Sequence, residues 1–200
     1  WNNTIYSQEM DAVFGVGNWT EELYETAVAG DIFSTSNSFV YMEGGDDNAD
    51  ELNAFLMANL PLIESWVSAG GSLLLNAAPN EGGDIDFGFG GVLLTYAAGP
   101  FPASVEGVMP LHPAFFGPNL PTSTTMSGTW YAHGVVCPPG MSAILEDPAN
   151  SNVILAEMSY GSGVAMFGCM TLSLAHTPAT ESYNFKLNLL SILADNAAIG

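Results

Sequence analysis

The hydrophobic pattern between Phe39 and Pro79 predicts a strand, a helix and a second strand. Residues 39–43 are short, apolar and bounded by turn residues, and residues 72–76 are apolar without alternation. The second pattern is typical of a parallel strand that is covered on both faces. Between them, apolar residues recur at three- and four-residue spacing, which predicts one apolar helix face. These residues are Leu52, Phe55, Leu56, Ile63, Trp66 and Val67. We therefore expect a βαβ unit in which the two strands run parallel.

The ends of this predicted helix carry recognisable signals. Asn48 followed by Glu51 is typical of a capping box, and Gly70 with Gly71 is typical of a C-terminal stop. Pro61 should kink the helix or restart it as a second segment. Ligands of parallel sheets bind beyond the carboxyl ends of the strands. We therefore expect any site near residues 43–47 and 76–81.

The rest of the chain predicts shorter elements. Residues 12–16 favour a strand and residues 20–29 favour a helix that begins at an N-cap threonine. Residues 80–91 are an irregular loop rich in glycine and acids, and residues 92–96 favour a strand. Six prolines between residues 99 and 121 predict an ordered excursion over the surface.

After Thr129 the pattern changes to short strands at close intervals. The predicted strands are residues 130–136, 142–145, 153–158 and 163–170. Residues 160–163 form a hairpin turn between the last two. Residues 181–196 form an amphipathic helix, whose inward residues are Phe185, Leu189, Leu190, Ile192 and Leu193. With 200 residues, 48% of them hydrophobic, we expect one α/β domain over residues 1–200.

The charge of the chain is unusual because bases are missing. There are 21 acidic residues, one lysine (Lys186) and no arginine, which gives a formal net charge of −20 with the three histidines neutral. Nucleic acid is excluded as a partner, because binding it needs Lys and Arg. Such self-repulsion is tolerated best where salt or divalent cations screen it, which predicts an extracellular or cell-surface, saline setting. Compositional drift in a larger protein is the alternative explanation for the missing Lys and Arg.

We expect no membrane insertion, since no apolar run reaches the length of a membrane helix. Trp1 in place of an initiator methionine indicates a mature fragment or one domain of a longer protein.

Two groups of acids follow the strands of the βαβ unit. Glu43, Asp46, Asp47 and Asp50 lie within eight residues, and Asn80, Glu81, Asp84 and Asp86 form the second group. Capping and the helix dipole explain part of the first group without a ligand. Carboxylates without a nearby base also suit Ca²⁺, which takes six to eight oxygens. We therefore expect Asp46, Asp47, Asp50, Glu81 and Asp84 as candidate Ca²⁺ ligands.

The histidines, cysteines and tryptophans leave alternatives open. His112, His133 and His176 either fill structural roles or converge on a shared ligand site. Cys137 and Cys169 lie in or beside predicted strands and could form one disulfide, which an extracellular setting would favour. Among the tryptophans, Trp66 and Trp130 are predicted core residues, whereas Trp19 is a candidate for stacking on a sugar.

Several segments carry a family resemblance. ESWVSAGGSLLLNAAPN resembles the helix, strand and elbow of class I glutamine-amidotransferase-like domains, including the ThuA-like branch found in large secreted bacterial proteins. Downstream, the matching segments are LHPAFFGP, YAHGVV, VILAEMSYGSGVAMFGCMTLSLAH and NFKLNLLSIL. The resemblance runs from Phe39 to the end. It implies a three-layer sandwich, with a mostly parallel flavodoxin-like sheet, helices on both faces and extra C-terminal strands at one edge.

The resemblance implies the fold of the family but not the cysteine-dependent catalysis of its enzymes. Enzymes of this family place a nucleophilic cysteine at the turn that here reads Asn76-Ala77-Ala78-Pro79, and alanine cannot act as a nucleophile. His176 lies near the family histidine, but no acid follows it closely. We therefore expect a non-catalytic adhesive or filament-forming module that binds other extracellular domains, copies of itself or surface glycans. The alternative is a carbohydrate-active or other hydrolase, and the candidate ligand-binding residues are Glu43, Asn76, His133 and His176.

Overall fold

The computed structural model of the chain describes residues 4–45, 48–80, 83–96 and 101–199, apart from the side chains of 198 and 199. The helices are α1 (Ile5–Phe14), α2 (Ala29–Ile32), α3 (Ala49–Ser68) and α4 (Ala179–Ile199), with 3-10 turns at Pro113–Phe115 and Ser173–Ala175. The first five strands are β1 (Phe39–Gly44), β2 (Ser72–Ala77), β3 (Ile85–Gly88), β4 (Val92–Tyr96) and β5 (Ser104–Gly107). The other five are β6 (Thr125–Ser127), β7 (Gly134–Cys137), β8 (Ser142–Glu146), β9 (Val153–Tyr160) and β10 (Gly163–Gly168).

The βαβ unit predicted from the sequence is confirmed. β1 lies beside β2 and parallel to it, with Phe39 opposite Ser72. Every residue of β2 is buried, as expected of a strand covered on both faces. The six predicted apolar positions of α3 are buried as well. The helix continues through Pro61 as one element, so the predicted restart is wrong.

The predicted capping box does not form at the start of α3. Asn48 is the N-cap residue, but its side chain makes no capping hydrogen bond. Its amide oxygen instead accepts from the Gly45 N–H at 2.6 Å, and its amide nitrogen donates to Glu43. The side chain therefore closes the turn after β1.

The main sheet of the described residues has seven strands in the order β1-β2-β10-β9-β8-β5-β6. β10 is parallel to β2, and each later neighbour in that order is antiparallel to the one before it. The protein is therefore a mixed α/β fold in which the parallel part comprises three strands, and the predicted extension of one edge by later strands is present. A smaller sheet, which we did not predict, has the order β3-β4-β7.

Two expectations for the first thirty residues are wrong. Residues 12–16 are not a strand, because α1 occupies the chain to Phe14 and buries Ile5 and Glu9 on one side. Residues 20–28 are not a helix. They are mostly exposed and rich in acids, and Tyr24 fixes them by donating a hydrogen bond to the backbone oxygen of Glu43 at 2.9 Å.

Two helices contact the parallel part of the sheet. Both α3 and α4 pack on β1, β2 and β10, and α1 packs on α4. Of the five predicted inward residues of α4, four are buried and Ile192 is half-buried. Within the described residues, none of the helices combines the length and the hydrophobicity that a membrane crossing requires.

Candidate functional site

Buried and half-buried polar side chains meet near the carboxyl end of β1, between α1, α4 and the turn that follows β10. We call seven of them the buried polar cluster: Tyr6, Glu9, Tyr41, Glu43, Ser173, His176 and Lys186. Several line one cavity of about 10 Å³. A cavity of this size holds roughly one water molecule, whereas small-molecule pockets measure about 300–1,000 Å³. This cavity is therefore too small for a substrate.

Lys186, the only lysine in a chain without arginine, lies inside this cluster. Lys186 is only 7% exposed, and its Nζ donates a hydrogen bond to the Tyr41 hydroxyl at 3.2 Å. The same Nζ lies 4.7 Å from the centroid of the Tyr41 ring, at cation–π distance. Burial lowers the pKa of Lys186, while the charges of Glu9 and Glu43 raise it. The positive charge of Lys186 therefore interacts with the carboxylates of Glu9 and Glu43.

Glu9, on α1, contributes a carboxylate to the cavity that Lys186 also lines. It is 1% exposed, and the Ser173 hydroxyl donates a hydrogen bond to its Oε1. Burial raises the pKa of Glu9, and the charge of Lys186 and the bond from Ser173 act against that rise. Its Oε2 and the Oγ of Ser182 have no hydrogen-bond partner among the described residues. Both residues line the small cavity.

Glu43, a predicted ligand-binding residue, is engaged with the protein. Its two carboxylate oxygens accept hydrogen bonds from the Tyr6 hydroxyl and the Asn48 amide, each at 3.1 Å. Burial raises the pKa of Glu43, and these two bonds are among the influences that lower it. The carboxylate therefore ties α1 and the turn after β1 to the end of the strand.

Asn76 and His176 are likewise bonded within the protein. The Asn76 amide donates to the Met170 carbonyl at 2.8 Å and accepts from the Met170 N–H at 2.9 Å, which fastens β2 to the turn after β10. The Nε2 of His176 lies 3.0 Å from the Thr171 hydroxyl, and its ring stacks on Tyr131 at 3.9 Å. Burial lowers the pKa of His176 to about 4. The imidazole is therefore neutral at pH 7.

The other two histidines occupy different surroundings. His133 is buried, with its ring 5.1 Å from that of Phe101 and its backbone N–H bonded to Cys169. His112 begins the 3-10 turn after β5, where its Nδ1 accepts from the Ala114 N–H and its Nε2 lies 3.3 Å from Glu157. Each histidine thus has its own structural contacts.

The predicted Ca²⁺ ligands fall mostly outside what the structure describes. Asp46, Asp47 and Glu81 lie outside the described residues. Asp50 is exposed in the first turn of α3, and Asp84 accepts a hydrogen bond from the Tyr96 N–H at 2.9 Å. Over residues 4–45, 48–80, 83–96 and 101–199, no three His, Cys, Asp or Glu side chains are grouped so as to hold a metal ion. The Ca²⁺ site stays a prediction.

The possible disulfide between Cys137 and Cys169 is not formed in the structure, in which both cysteines are free. The thiol of buried Cys169 donates to the carbonyl of Gly134, whereas exposed Cys137 lies 3.4 Å from the Thr95 hydroxyl. Burial raises the pKa of the Cys169 thiol to about 12, against hydrogen bonds with the backbone of Gly134 and Val136 that lower it.

The tryptophans differ from expectation at one position. Trp66 is buried as predicted, and its indole N–H donates to the backbone of Ser34 and Asn37. Trp130 was expected in the core but is 57% exposed. Trp19 is half-buried, with its indole N–H bonded to Asp11 at 2.8 Å. Trp130 is therefore the better candidate for an aromatic surface contact.

Sequence reasoning missed Lys186 and Glu9 as partners. Lys186 precedes Leu189, Leu190 and Leu193 by three, four and seven residues, which is the spacing of the inward stripe of α4. That spacing was a usable signal for a buried base. Glu9 gave no comparable signal, because its burial depends on the docking of α1 against α4.

Comparison with known proteins assigns no family. The sequence matches no protein-family model and no curated protein. Among solved structures, similar chains include Cytoplasmic Protein STM3548 from Salmonella typhimurium, with 16% identity, a TM-score of 0.45 and coverage of 83% of this chain and 77% of that one. Cytoplasmic Protein STM1381 from Salmonella typhimurium LT2 gives 13% identity, a TM-score of 0.48 and coverage of 94% and 86%.

A beta-galactosidase from Rahnella sp. R3 is similar over part of its length. It gives 15% identity and a TM-score of 0.40 over 78% of this chain, which spans only 22% of the galactosidase. Likenesses at this level assign neither a family nor an activity to the chain.

Proposed function

We propose that this chain is a non-catalytic module of a secreted or cell-surface protein, adhesive or filament-forming, which offers a stable surface to other domains, to copies of itself or to glycans. One observation carries the proposal: at the carboxyl end of the parallel strands, where α/β proteins bind their ligands, the described residues surround a cavity that is too small for a substrate. The cavity there measures about 10 Å³.

The residues that a hydrolase would use at this place are already bonded to the protein. Glu43 is held by Tyr6 and Asn48, and His176 is held by Thr171. A general base must reach the proton that it abstracts, either directly or through one water. At the elbow, Ala77 and Ala78 are both fully buried and carry no nucleophilic atom. These contacts favour a structural role for the buried polar cluster over the hydrolase alternative.

The finer fold that we propose is the flavodoxin-like three-layer sandwich of class I glutamine-amidotransferase-like domains. Two observations support it. Both α3 and α4 pack on β1, β2 and β10, and β2 is buried at every position, as a strand between two helical layers would be.

The extracellular, saline setting rests on charge. The single base of the chain is buried, so no Lys or Arg side chain faces solvent, while most of the 21 acids remain available to repel one another. Salt screens such repulsion between exposed charges. The free cysteines lend no support to an oxidising setting, so the charge argument stands alone.

The proposal is tested by comparing the chain with two matched variants, His176→Gln and Glu43→Gln, against a panel of glycosides, esters and glutamine. We expect the same background turnover from all three proteins, since any contaminating hydrolase would be common to them. Turnover that is present in the parent and lost in both folded variants would overturn the non-catalytic assignment. Sequencing the flanking gene tests the setting: repeats or a sorting signal are expected, and a fusion to cytoplasmic enzymes would contradict it.

A further inference from the structure

A groove of about 560 Å³ lies apart from the buried polar cluster, where the Pro-rich excursion after β5 meets β9 and the last turns of α4. It is lined by residues 109–113 together with Glu157, Ile192 and Asn196. Small-molecule sites measure about 300–1,000 Å³ and combine apolar walls with a few polar groups. The groove has that size and that composition, since most of its lining residues are apolar.

The apolar wall of the groove belongs to a segment without charge. Residues 107–145, which we call the uncharged segment, contain no Asp, Glu, Lys or Arg, although the chain has 21 acidic residues. Helix α4 holds this segment in place. The Asn188 amide donates to the carbonyls of Ala114 and Asn119, and the Phe115 ring packs against Phe185 at 5.1 Å. The wall is therefore positioned by contacts within the protein.

Glu157 is the one Asp or Glu among the residues that line the groove. It lies on β9 between two neighbouring strands, with Ser142 of β8 and Met166 of β10 opposite it. Its side chain is 28% exposed, and its Oε2 lies 3.3 Å from the Nε2 of His112. Among the described residues, none donates a hydrogen bond to its Oε1. A rigid strand therefore presents a carboxylate with a free oxygen to the groove.

The protein supplies no permanent positive charge to this carboxylate. Lys186, the only lysine in a chain without arginine, is bonded to Tyr41 inside the buried polar cluster. The Nδ1 of His112 accepts a hydrogen bond from the Ala114 N–H, which is possible only while that nitrogen carries no proton. With His112 neutral, the groove holds one uncompensated negative charge among apolar walls.

This charge distinguishes a cationic occupant from a neutral one. A positive group interacts more strongly with a partly buried carboxylate than with one in bulk water, because the effective dielectric constant is lower. The acidic surface of the chain also raises the local concentration of cations. A neutral molecule gains neither effect, and an anion is repelled. A metal ion fits poorly, because Ca²⁺ takes six to eight oxygens and the lining offers side-chain oxygens only from Glu157 and Asn196.

We propose that the groove binds a small organic cation, a primary ammonium with an apolar body. The ammonium lies against the carboxylate of Glu157, and the body packs on the wall that includes Met109, Leu111 and Ile192. This site goes beyond the proposed function and does not rest on it, since a module that binds other domains or glycans can lack it, and an enzyme can have it.

The test is isothermal titration calorimetry of the intact chain with n-hexylammonium at pH 7. Salt at about 0.15 M screens general attraction to the acidic surface. We expect saturable binding of one hexylammonium per chain. 1-Hexanol keeps the apolar body without the charge and should bind at least tenfold more weakly. Glu157→Gln should weaken hexylammonium binding at least tenfold. Glu22→Gln is the matched control, because it removes the same charge from an exposed position outside the groove, and it should change binding less than twofold.

Leu111→Ser tests the apolar wall in the same titration. Leu111 is 84% exposed, so the substitution should leave the melting temperature unchanged while weakening binding threefold or more. Leu23→Ser is its control, since Leu23 is 65% exposed outside the groove. No saturable binding at millimolar hexylammonium would overturn the proposal. Equal affinity for 1-hexanol, or a Glu22→Gln variant as weakened as a folded Glu157→Gln variant, would overturn it as well.

Discussion

The buried polar cluster and the uncharged segment distribute charge in opposite ways. The cluster buries Lys186 and Glu9 and half-buries Glu43, whereas residues 107–145 carry no Asp, Glu, Lys or Arg although much of the segment faces water. Charged groups are ordinarily exposed and apolar groups ordinarily buried. The interior cluster is tolerated because hydrogen bonds and opposite charges compensate its members. The exposed apolar side chains of the segment, such as Leu111 and Phe116, have no such compensation within the described residues.

Helix α4 contacts both the buried polar cluster and the uncharged segment. Lys186 and Asn188 are two residues apart on α4, which corresponds to about 200° around a helix. Lys186 therefore points to the cluster while Asn188 holds the excursion on the other side. Substitutions at these two positions can test each region without altering the other.

The largest effect is expected from Lys186→Met, which removes the positive charge from the cluster and keeps its length. Buried Glu9 and half-buried Glu43 would lose the opposite charge that now lowers the pKa of each. Removing one partner of a buried charge group costs about 3–5 kcal/mol. We expect a loss of that size in the free energy of unfolding, measured by urea titration at pH 7.

Adding Glu9→Gln to Lys186→Met provides the control. Neutralising Glu9 removes one uncompensated carboxylate, so the double variant should recover part of the lost stability. A single variant that loses less than about 1 kcal/mol would mean that the carboxylates are already protonated at pH 7, and the electrostatic account of the cluster would fail.

His176 should make the stability of the cluster depend on pH. Its pKa is about 4 in the folded protein, against an ordinary 6.5. Between these values the unfolded chain binds a proton that the folded protein does not, so stability falls as pH falls from 6.5 to 4. A shift of this size corresponds to about 3 kcal/mol once the pH is below 4. We expect most of that difference between the parent and His176→Gln in urea titrations across this range.

The comparison with the variant is needed because Glu9 and Glu43 act in the opposite direction. Burial raises the pKa of each carboxyl, so the folded protein binds protons before the unfolded chain does as the pH is lowered toward 4.5. Acidification through that window stabilises the fold. Both carboxyls are present in the parent and in His176→Gln, so their contribution largely cancels. A difference between the two proteins that stays flat from pH 7 to 4 would contradict the lowered pKa of His176.

The corresponding prediction for the uncharged segment is smaller. Asn188 is fully buried and makes hydrogen bonds with Ala114 and Asn119. Asn188→Ala leaves these backbone groups without partners, which should cost about 2–3 kcal/mol and speed amide exchange over residues 112–121. Asn184→Ala is the control, because its hydrogen bond to Pro121 is exposed and should cost less than about 1 kcal/mol. Equal losses would mean that Asn188 does not hold the excursion.

The sequence predicted the regions whose signals are local. The βαβ unit follows from the spacing of Leu52, Ile63 and Trp66 and from the unbroken apolar run of β2, because both patterns lie within one element. The pairing of β4 with β7 joins segments some forty residues apart, and Asn76 bonds to Met170 from a distance of 94 residues. No local pattern records such contacts.

The residues of the buried polar cluster also differ in whether a local sequence pattern could have predicted them. Glu43 was predicted because acids at the end of a strand stand out, and Lys186 could have been found from its place on the inward stripe of α4. Glu9 becomes buried only when α1 docks on α4, and that depends on tertiary packing rather than on the spacing of residues within α1.

The smallest expected effect concerns cations at the acidic surface. With the only base buried, exposed acids have no Lys or Arg partner, so NaCl should raise the melting temperature of the parent by screening. If Asp46, Asp47, Asp50, Glu81 and Asp84 form a Ca²⁺ site, millimolar Ca²⁺ should raise it further than NaCl of the same ionic strength does. The measurement is a pair of thermal melts, with Asp84→Asn as the variant that should lose the additional shift. Equal shifts from the two salts would mean screening without a site. No shift from either would mean that the acids are too dispersed to repel, and the saline setting would lose its support.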